Sequence, residues 1–261
     1  MIKLVVTDID GTLVDDQKRL SPDFWDVVAQ LTQKGIIFSV ASGRQYHTLL
    51  EQFSPIKDST LFVAENGTNV VYKNRELFIN TLDKESADKL IKIGRTIKDV
   101  YPILCGKTSA YVENADDRFL AEAGKYYQRL EIVNDLTQID DAVLKVTMFD
   151  FADAEKNSLP YFKDYTETHK VAPAGKRWLD ITNLTANKGS ALERVQRDFN
   201  ITHDETLVFG DYLNDLEMMG VAKYSYAMKN AHPDILKAAR FITEFDNNNH
   251  GVVSTIRKLC L

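Results

Sequence analysis

The sequence predicts an α/β fold, a doubly wound parallel sheet interrupted by an inserted α+β domain. Three observations lead there. An apolar run, Leu4 to Val6, ends in two carboxylates one residue apart, Asp8 and Asp10, followed by Gly11-Thr12-Leu13. Strand-like and helix-like segments then alternate as far as Ile79, and the same alternation resumes after Asn187. Between about Asp83 and Thr185 the pattern changes to amphipathic helices and half-buried strands, none ending in a D-x-D or G-D cluster. Alternating strands and helices build a parallel sheet, so both ends of the chain contribute to one core. The expected division is residues 1–82 with 185–261 for the core and 83–184 for the insert.

The elements follow in order. Leu4–Val6 is short, apolar and unpunctuated, as a strand buried on both faces should be. Ser21-Pro22 predicts a helix start, with serine as N-cap and proline at the first helical position. Phe24, Val27, Val28 and Leu31 carry the helical period up to Gly35, a C-terminal stop. Ile36–Ala41 is a second buried strand closed by Ser42-Gly43-Arg44, and Leu61–Ala64 a third closed by Glu65-Asn66-Gly67. Asn69–Tyr72 and Glu76–Ile79 flank Lys73-Asn74-Arg75 as a hairpin. In the insert, helices are expected over Ser86–Lys98, Asp116–Gln128 and Ala154–Tyr165, with strands at Ser109–Glu113 and Leu144–Phe151. Leu144, Val146 and Met148 face one way along the latter, Lys145 and Thr147 the other. The closing part reads as a helix over Gly189–Phe199, strand Thr206–Phe209 ending in Gly210-Asp211, strand Lys223–Met228, and helices over Pro233–Ala239 and Val252–Leu259.

Composition narrows the class. A chain of 261 residues with 44% hydrophobic and 27% charged residues has ordinary globular character and length for a sizeable core. A net charge of −6 argues against nucleic acid or an anionic membrane surface as partner. Cys105 and Cys260 lie in no C-x-x-C or His/Cys cluster, the usage of unpaired thiols in a reducing compartment. No segment approaches a membrane span or a signal peptide, so a cytoplasmic location and a monomer are expected.

The chemistry-bearing residues share one structural address. Asp8 and Asp10 follow the first strand, Ser42-Gly43-Arg44 the second, and Gly210-Asp211-Tyr212-Leu213-Asn214-Asp215 a late strand; Lys188 opens a helix. Right-handed crossovers bring the carboxyl ends of parallel strands to one sheet edge. Four carboxylates, Asp8, Asp10, Asp211 and Asp215, would then crowd one crevice and repel one another, which implies a hard cation. Oxygen ligands without histidine or cysteine point to Mg²⁺. Asn187 reads as an N-cap, which sets Lys188 in the first helical turn, where the macrodipole disfavours a cation by roughly 0.3–1 kcal/mol. Beside an acid cluster such a lysine offsets charge and holds an anionic ligand. Ser42-Gly43 offers a hydroxyl and backbone N–H groups to an anion. Arg44 either touches substrate or pairs with a core acid.

These residues resemble a family. D-I-D-G-T-L, A-S-G-R, N-K-G and G-D-Y-L-N-D, in this order and spacing, are similar to the motifs of the haloacid dehalogenase superfamily, and the insert is like the type IIB cap of its Cof-type sugar-phosphate phosphatases. The resemblance covers nearly the whole chain and implies a Rossmann-like core with a cap. It implies Asp8 as nucleophile forming an aspartyl-phosphate, and Asp10 as general acid and later base. It implies Ser42, Gly43, Arg44, Lys188 and Asn214 around the phosphoryl group and substrate. Asp8, Asp10 (through its main-chain carbonyl) and Asp211 would hold Mg²⁺, with Thr12 and Asp215 in support. The expected reaction is Mg²⁺-dependent hydrolysis of a small phosphorylated metabolite, hexose or pentose phosphates above all. A phosphomutase on the same chemistry, or a phosphatase for a phosphorylated cofactor, are the alternatives.

Other readings fare worse. Halide displacement needs neither Asp10 nor a metal cluster. Receiver-like signalling domains share a phosphorylated aspartate, Mg²⁺ and a lysine but are about half as long and have no cap. A binding protein on this fold would have no need of every acid. Within the insert, the loop Ala172–Trp178 is the candidate specificity surface, against its reading as an ordinary exposed hairpin.

Overall fold

The computed structural model describes all 261 residues. In chain order the strands are β1 (Leu4–Thr7), β2 (Ile37–Ala41), β3 (Thr60–Ala64), β4 (Asn69–Tyr72), β5 (Arg75–Ile79), β6 (Val100–Gly106), β7 (Ala110–Val112), β8 (Leu130–Ile132), β9 (Val143–Asp150), β10 (His169–Pro173), β11 (Trp178–Asn183), β12 (Thr206–Gly210), β13 (Tyr224–Ala227) and β14 (Phe241–Ile242). The helices are α1 (Phe24–Gln33), α2 (Tyr46–Gln52), α3 (Lys84–Gly94), α4 (Asp117–Ala123), α5 (Lys188–Phe199), α6 (Leu216–Gly220), α7 (Pro233–Ala238) and α8 (Gly251–Cys260). The chain divides into two units: Met1–Gly43, Leu49–Phe78 and Asn187–Leu261 form the first, Arg44–Thr48 and Ile79–Ala186 the second.

The first unit is built on an eight-stranded sheet in the order β14-β13-β12-β1-β2-β3-β4-β5. β14 through β3 run parallel, and β4 turns antiparallel to β3. All four residues of β1 and all five of β12 are buried, which explains why both read as unbroken apolar runs. From β1 the chain winds outward to β2 and β3; after the insert it winds the other way, from β12 to β13 and β14. The winding direction therefore reverses between β1 and β12, and the crevice at such a switch point is where doubly wound sheets bind ligands.

Local chemistry explains most element boundaries. α1 buries Phe24, Val27, Val28 and Leu31, the face the periodicity predicts. Its start differs from expectation: Asp23 precedes the first turn, and Ser21-Pro22 form a preceding turn in which the Phe24 N–H donates to the Ser21 carbonyl at 3.0 Å. At its end Gly35 takes φ +72 and the Ile36 N–H reaches back to the Leu31 carbonyl at 2.9 Å, a left-handed stop. The turn between β4 and β5 is two residues long, not three. Lys73 and Asn74 both have positive φ (51 and 58), which matches the twist of the flanking strands.

The second unit holds a six-stranded sheet, β10-β11-β9-β6-β7-β8, antiparallel except for β7 and β8. Leu104, Val146, Met148, Leu179 and Ile181 form one cluster with Leu90 and Ile91 of α3. Ile103, Ala110, Val112 and Phe149 form another with Phe119 and Ala123 of α4. Asp83 caps α3 by accepting from the Ser86 N–H at 2.8 Å, and Asp116 caps α4. Both helices end earlier than the periodicity predicts. The helix expected over Ala154–Tyr165 is instead a wide turn, Ala154–Ser158, followed by a 3₁₀ stretch, Leu159–Tyr165. Pro160 has no N–H to continue an α-helical ladder there.

Two findings about the second sheet depart from the sequence reading. β6, which pairs with β9 along its whole length, carries Pro102 and no alternation and was not expected as a strand. β9 is buried at every position, so Lys145 (4% exposed) and Thr147 (0%) do not face solvent. Neither Cys105 nor Cys260 is in a disulfide, and no helix is long and apolar enough to cross a membrane.

Candidate active site

The switch point concentrates charge. Asp8 leaves β1 with its N–H bonded to the Phe209 carbonyl of β12 at 3.0 Å, which fixes the end of one strand against the other. Lys188, the first residue of α5, is fully buried and donates to Asp8 Oδ1 at 2.5 Å and to Asp215 Oδ1 at 2.7 Å. Asn187 caps the helix by accepting from the Ser190 N–H at 2.7 Å, which holds the lysine in the first turn. Two carboxylates thus offset the dipole penalty noted from the sequence. Asp215 is itself buried and rigid: its Oδ2 accepts from the N–H groups of Asp211 (3.0 Å) and Tyr212 (3.2 Å).

Asp211 completes the group, with Thr12 Oγ donating to its Oδ1 at 2.7 Å. Gly11 makes this approach possible. It sits at φ +78, and a Cβ there would stand 2.3 Å from Asp211 Oδ2. One carboxylate oxygen from each of Asp8, Asp211 and Asp215 lies within 4.8 Å of the other two.

Two buried carboxylates, Asp8 and Asp215, share one ammonium with the half-buried Asp211 beside them, and the electrostatics follow. Burial pushes the Asp8 carboxyl up to about 8, helped by Asp215 and Asp211 and opposed by Lys188. Burial likewise lifts Asp211 to about 6, with the Thr12 hydrogen bond opposing and Asp215 adding to the rise. Burial alone would lower Lys188, but Asp215 and Asp8 outweigh it and hold the ammonium charged above its ordinary range. The cluster has a surplus of negative charge and all-oxygen donors, which suits a hard divalent cation. Asp215 spends both oxygens on Lys188 and backbone N–H groups. Asp8 and Asp211 are therefore the residues positioned to hold such an ion.

A second set of residues lies at the same carboxyl edge, since β2 pairs in parallel with β1. Ser42 is buried at the end of β2, its N–H on the Val63 carbonyl and its carbonyl accepting from the Asn66 N–H, both at 2.9 Å. A Cβ on Gly43 would meet the Asn66 amide at 3.1 Å, and Asn214 Nδ2 donates to Asn66 Oδ1 at 3.1 Å. Asn66 thus ties the loop after β2 to the loop after β12. Sequence reasoning used it only as a strand terminator. The signal was the turn itself: Glu65, Asn66 and Gly67 all have positive φ, unusual for the two non-glycine residues.

Asp10 is more exposed than Asp8, and its charge adds to the rise of Asp211. The Asp10 carboxylate accepts from Lys18 Nζ at 2.7 Å, with the side chains 41% and 62% exposed. Lys18 went unnoticed in the sequence because nothing in its neighbourhood marks it. Arg44 is grouped with the second unit.

A strand-end acid pair, a buried lysine and a metal-suited carboxylate cluster at the switch point of a doubly wound sheet fit the handling of an anionic ligand beside a hard cation. The family model of haloacid dehalogenase-like hydrolases matches residues 5–256, and the chain belongs to that family. Its activity is that of a phosphatase. It is 33% identical over 267 residues to the 5-amino-6-(5-phospho-D-ribitylamino)uracil phosphatase YbjI of Escherichia coli, an alignment covering 99% of this chain and 96% of that one. The crystal structure of SMU.1108c from Streptococcus mutans superposes with a TM-score of 0.88 at 28% identity, over 99% of this chain and 98% of that one. A subclass IIB sugar phosphatase shares the fold at a TM-score of 0.81 and 19% identity, with 98% of each chain covered.

Proposed function

We propose that the protein is a Mg²⁺-dependent phosphomonoesterase that works through an aspartyl-phosphate on Asp8. The observation that carries this reading is Asp8 itself, a strand-end carboxylate at the switch point, 2.5 Å from a buried lysine and grouped with Asp211 and Asp215. In the first step an Asp8 oxygen attacks phosphorus, the bond to the leaving oxygen breaks, and Asp10 gives that oxygen a proton. In the second step Asp10 takes a proton from water, whose oxygen attacks the same phosphorus. The acyl phosphate bond breaks, inorganic phosphate leaves, and the Asp8 carboxylate is restored. Lys188 offsets charge on Asp8 and the phosphoryl oxygens throughout, while the Ser42 hydroxyl and the Gly43 N–H cradle the phosphoryl group. Mg²⁺ held by Asp8 and Asp211, with the Asp10 carbonyl, would neutralise developing negative charge and keep Asp8 ionised. Thr12 and Asp215 orient Asp211 and Lys188, and Asn214 with Asn66 braces the phosphate loop.

The substrate in this reading is a small phosphorylated polyol, a hexose or pentose phosphate, with the second unit as its specificity domain and Arg44 as a substrate-binding residue. The name of the E. coli relative favours a second reading, 5-amino-6-(5-phospho-D-ribitylamino)uracil, which also presents its phosphate on a hydroxylated chain. The test is phosphate release across a metabolite panel including both classes, with and without Mg²⁺. Release should require the ion, and Asp8→Asn should lower turnover by at least about a thousandfold. Retained turnover in that variant would sink the nucleophile assignment.

A further inference from the structure

Two asparagines that belong to none of the four motifs hold the turn that follows β1. Asn230, in the loop after β13, donates from Nδ2 to the Gly11 carbonyl at 2.8 Å. Asn247, after β14, is buried and donates from Nδ2 to the Val14 carbonyl and to Asp16 Oδ1, both at 3.1 Å. The two are joined, because the Asn247 N–H donates to Asn230 Oδ1 at 3.1 Å. That bond sets the Asn230 amide with its oxygen toward Asn247 and its nitrogen toward Gly11. β1, β12, β13 and β14 are parallel neighbours, which is why the loops at their carboxyl ends meet here.

The loop after β13 also holds the strand end that carries Asp211. The Met228 N–H donates to the Gly210 carbonyl at 3.0 Å and the His232 N–H to the Asp211 carbonyl at 2.8 Å. One short loop, residues 228–232, therefore holds Asp211 by its backbone and Gly11 through Asn230. Between those two points the fit is tight. A Cβ on Gly11 would stand 2.3 Å from Asp211 Oδ2, and Thr12 Oγ reaches Asp211 Oδ1 at 2.7 Å. A hydrogen bond on the Gly11 carbonyl fixes the plane of the Gly11–Thr12 peptide, and with it the start of the Thr12 side chain.

Stability is a poor account of the Asn230 bond. Asn230 is exposed, and water competes for both of its partners. The turn is also closed from within, since the N–H groups of Thr12, Leu13 and Val14 all reach the Ile9 carbonyl, at 3.4, 3.0 and 3.1 Å. What Asn230 adds is the placement of one peptide relative to Asp211.

We infer that Asn230, oriented by Asn247, is a positioning residue for the metal ligand Asp211: it holds the Gly11–Thr12 peptide where Thr12 can aim that carboxylate. This rests on the reading above in which Asp8 and Asp211 hold Mg²⁺ in a phosphomonoesterase. Groups that orient a metal ligand govern affinity and rate without touching metal or substrate, and losing one costs about 10–100-fold.

The test uses the whole enzyme. The Kd for Mg²⁺ is measured by calorimetry in the absence of ester, and kcat and KM for p-nitrophenyl phosphate at Mg²⁺ concentrations that saturate each protein. In Asn230→Ala the Kd for Mg²⁺ should rise about tenfold and kcat should fall about tenfold, while KM changes by less than about threefold. Asn248→Ala is the control for loosening of the same segment. It removes a reciprocal pair with Asp16, whose N–H donates to Asn248 Oδ1 at 3.0 Å and whose Oδ2 accepts from Asn248 Nδ2 at 3.1 Å. Its Kd for Mg²⁺ should stay within about twofold of wild type. Should Asn230→Ala not fold, Asn230→Ser, with a side chain too short to span to Gly11, reads the same quantities. A Kd within about twofold of wild type in the Asn230 variant, or an equal rise in Asn248→Ala, overturns the inference and leaves the phosphatase reading intact. If wild type releases phosphate from neither p-nitrophenyl phosphate nor the metabolite panel, the reading beneath it fails instead.

Discussion

Each unit of this protein buries one lysine, and the two are answered differently. Lys188 (0% exposed) meets two carboxylates, Asp8 and Asp215, with Asp211 close by. Lys145 (4% exposed) meets one, Asp180, and a threonine shares it. The first cluster is left with excess negative charge at a strand end; the second is neutral on a sheet face. Excess charge is tolerable only where a cation or a proton completes it, which is how a site for metal and phosphoryl transfer is made. A neutral pair is complete in charge and has only hydrogen-bond capacity to offer.

The largest test of this contrast is Lys188→Met. It strands two buried carboxylates and should cost about 3–5 kcal/mol, read from urea unfolding at neutral pH. A loss below about 1 kcal/mol would mean that the acids relax without the lysine.

The next concerns the charge excess itself. In metal-free protein folded Asp8 titrates near 8 against an ordinary 3.8. The folded state therefore holds a proton that the unfolded chain gives up at about pH 4, and stability falls as pH rises from there toward 8. Asp8→Asn removes this dependence. With a chelator present, the Tm of the variant minus that of wild type should grow from pH 5 to pH 8; a constant difference would refute the shift. Mg²⁺ competes with that proton, so its stabilisation of wild type should also grow over the same interval.

Lys145→Met should cost less than Lys188→Met, about 1–3 kcal/mol, because Asp180 keeps Thr147 and is partly exposed. Equal costs for the two lysines would erase the distinction drawn between the units. Smallest is Lys18→Ala, which removes the exposed partner of Asp10 and should change stability by less than about 1 kcal/mol.

Much of the first unit was legible because its signals are local. Parallel strands buried on both faces read as apolar runs, and Asp8, Ser42 and Asp211 each follow such a run directly. Their convergence needs only the rule that parallel strands share a carboxyl edge. Asn66 and Lys18 were missed because their roles depend on partners reached through folded loops, Asn214 far along the chain and Asp10 across a turn. In the second unit the period-2 pattern of β9 separated its two faces correctly. It could not reveal that the polar face is buried too.

The amino-acid order alone determined the alternation of strands and helices, the acids at strand ends, and the lysine at the start of α5, since each depends on neighbours within a few residues. Tertiary structure decided which charges meet. Asp215 rather than Asp10 joins Asp8 on Lys188, and Asp180 finds Lys145 and Thr147. The reason is physical: apolar periodicity reports how one segment is buried, whereas an ion pair requires two segments to arrive in register, and that register is set by the packing of the whole sheet.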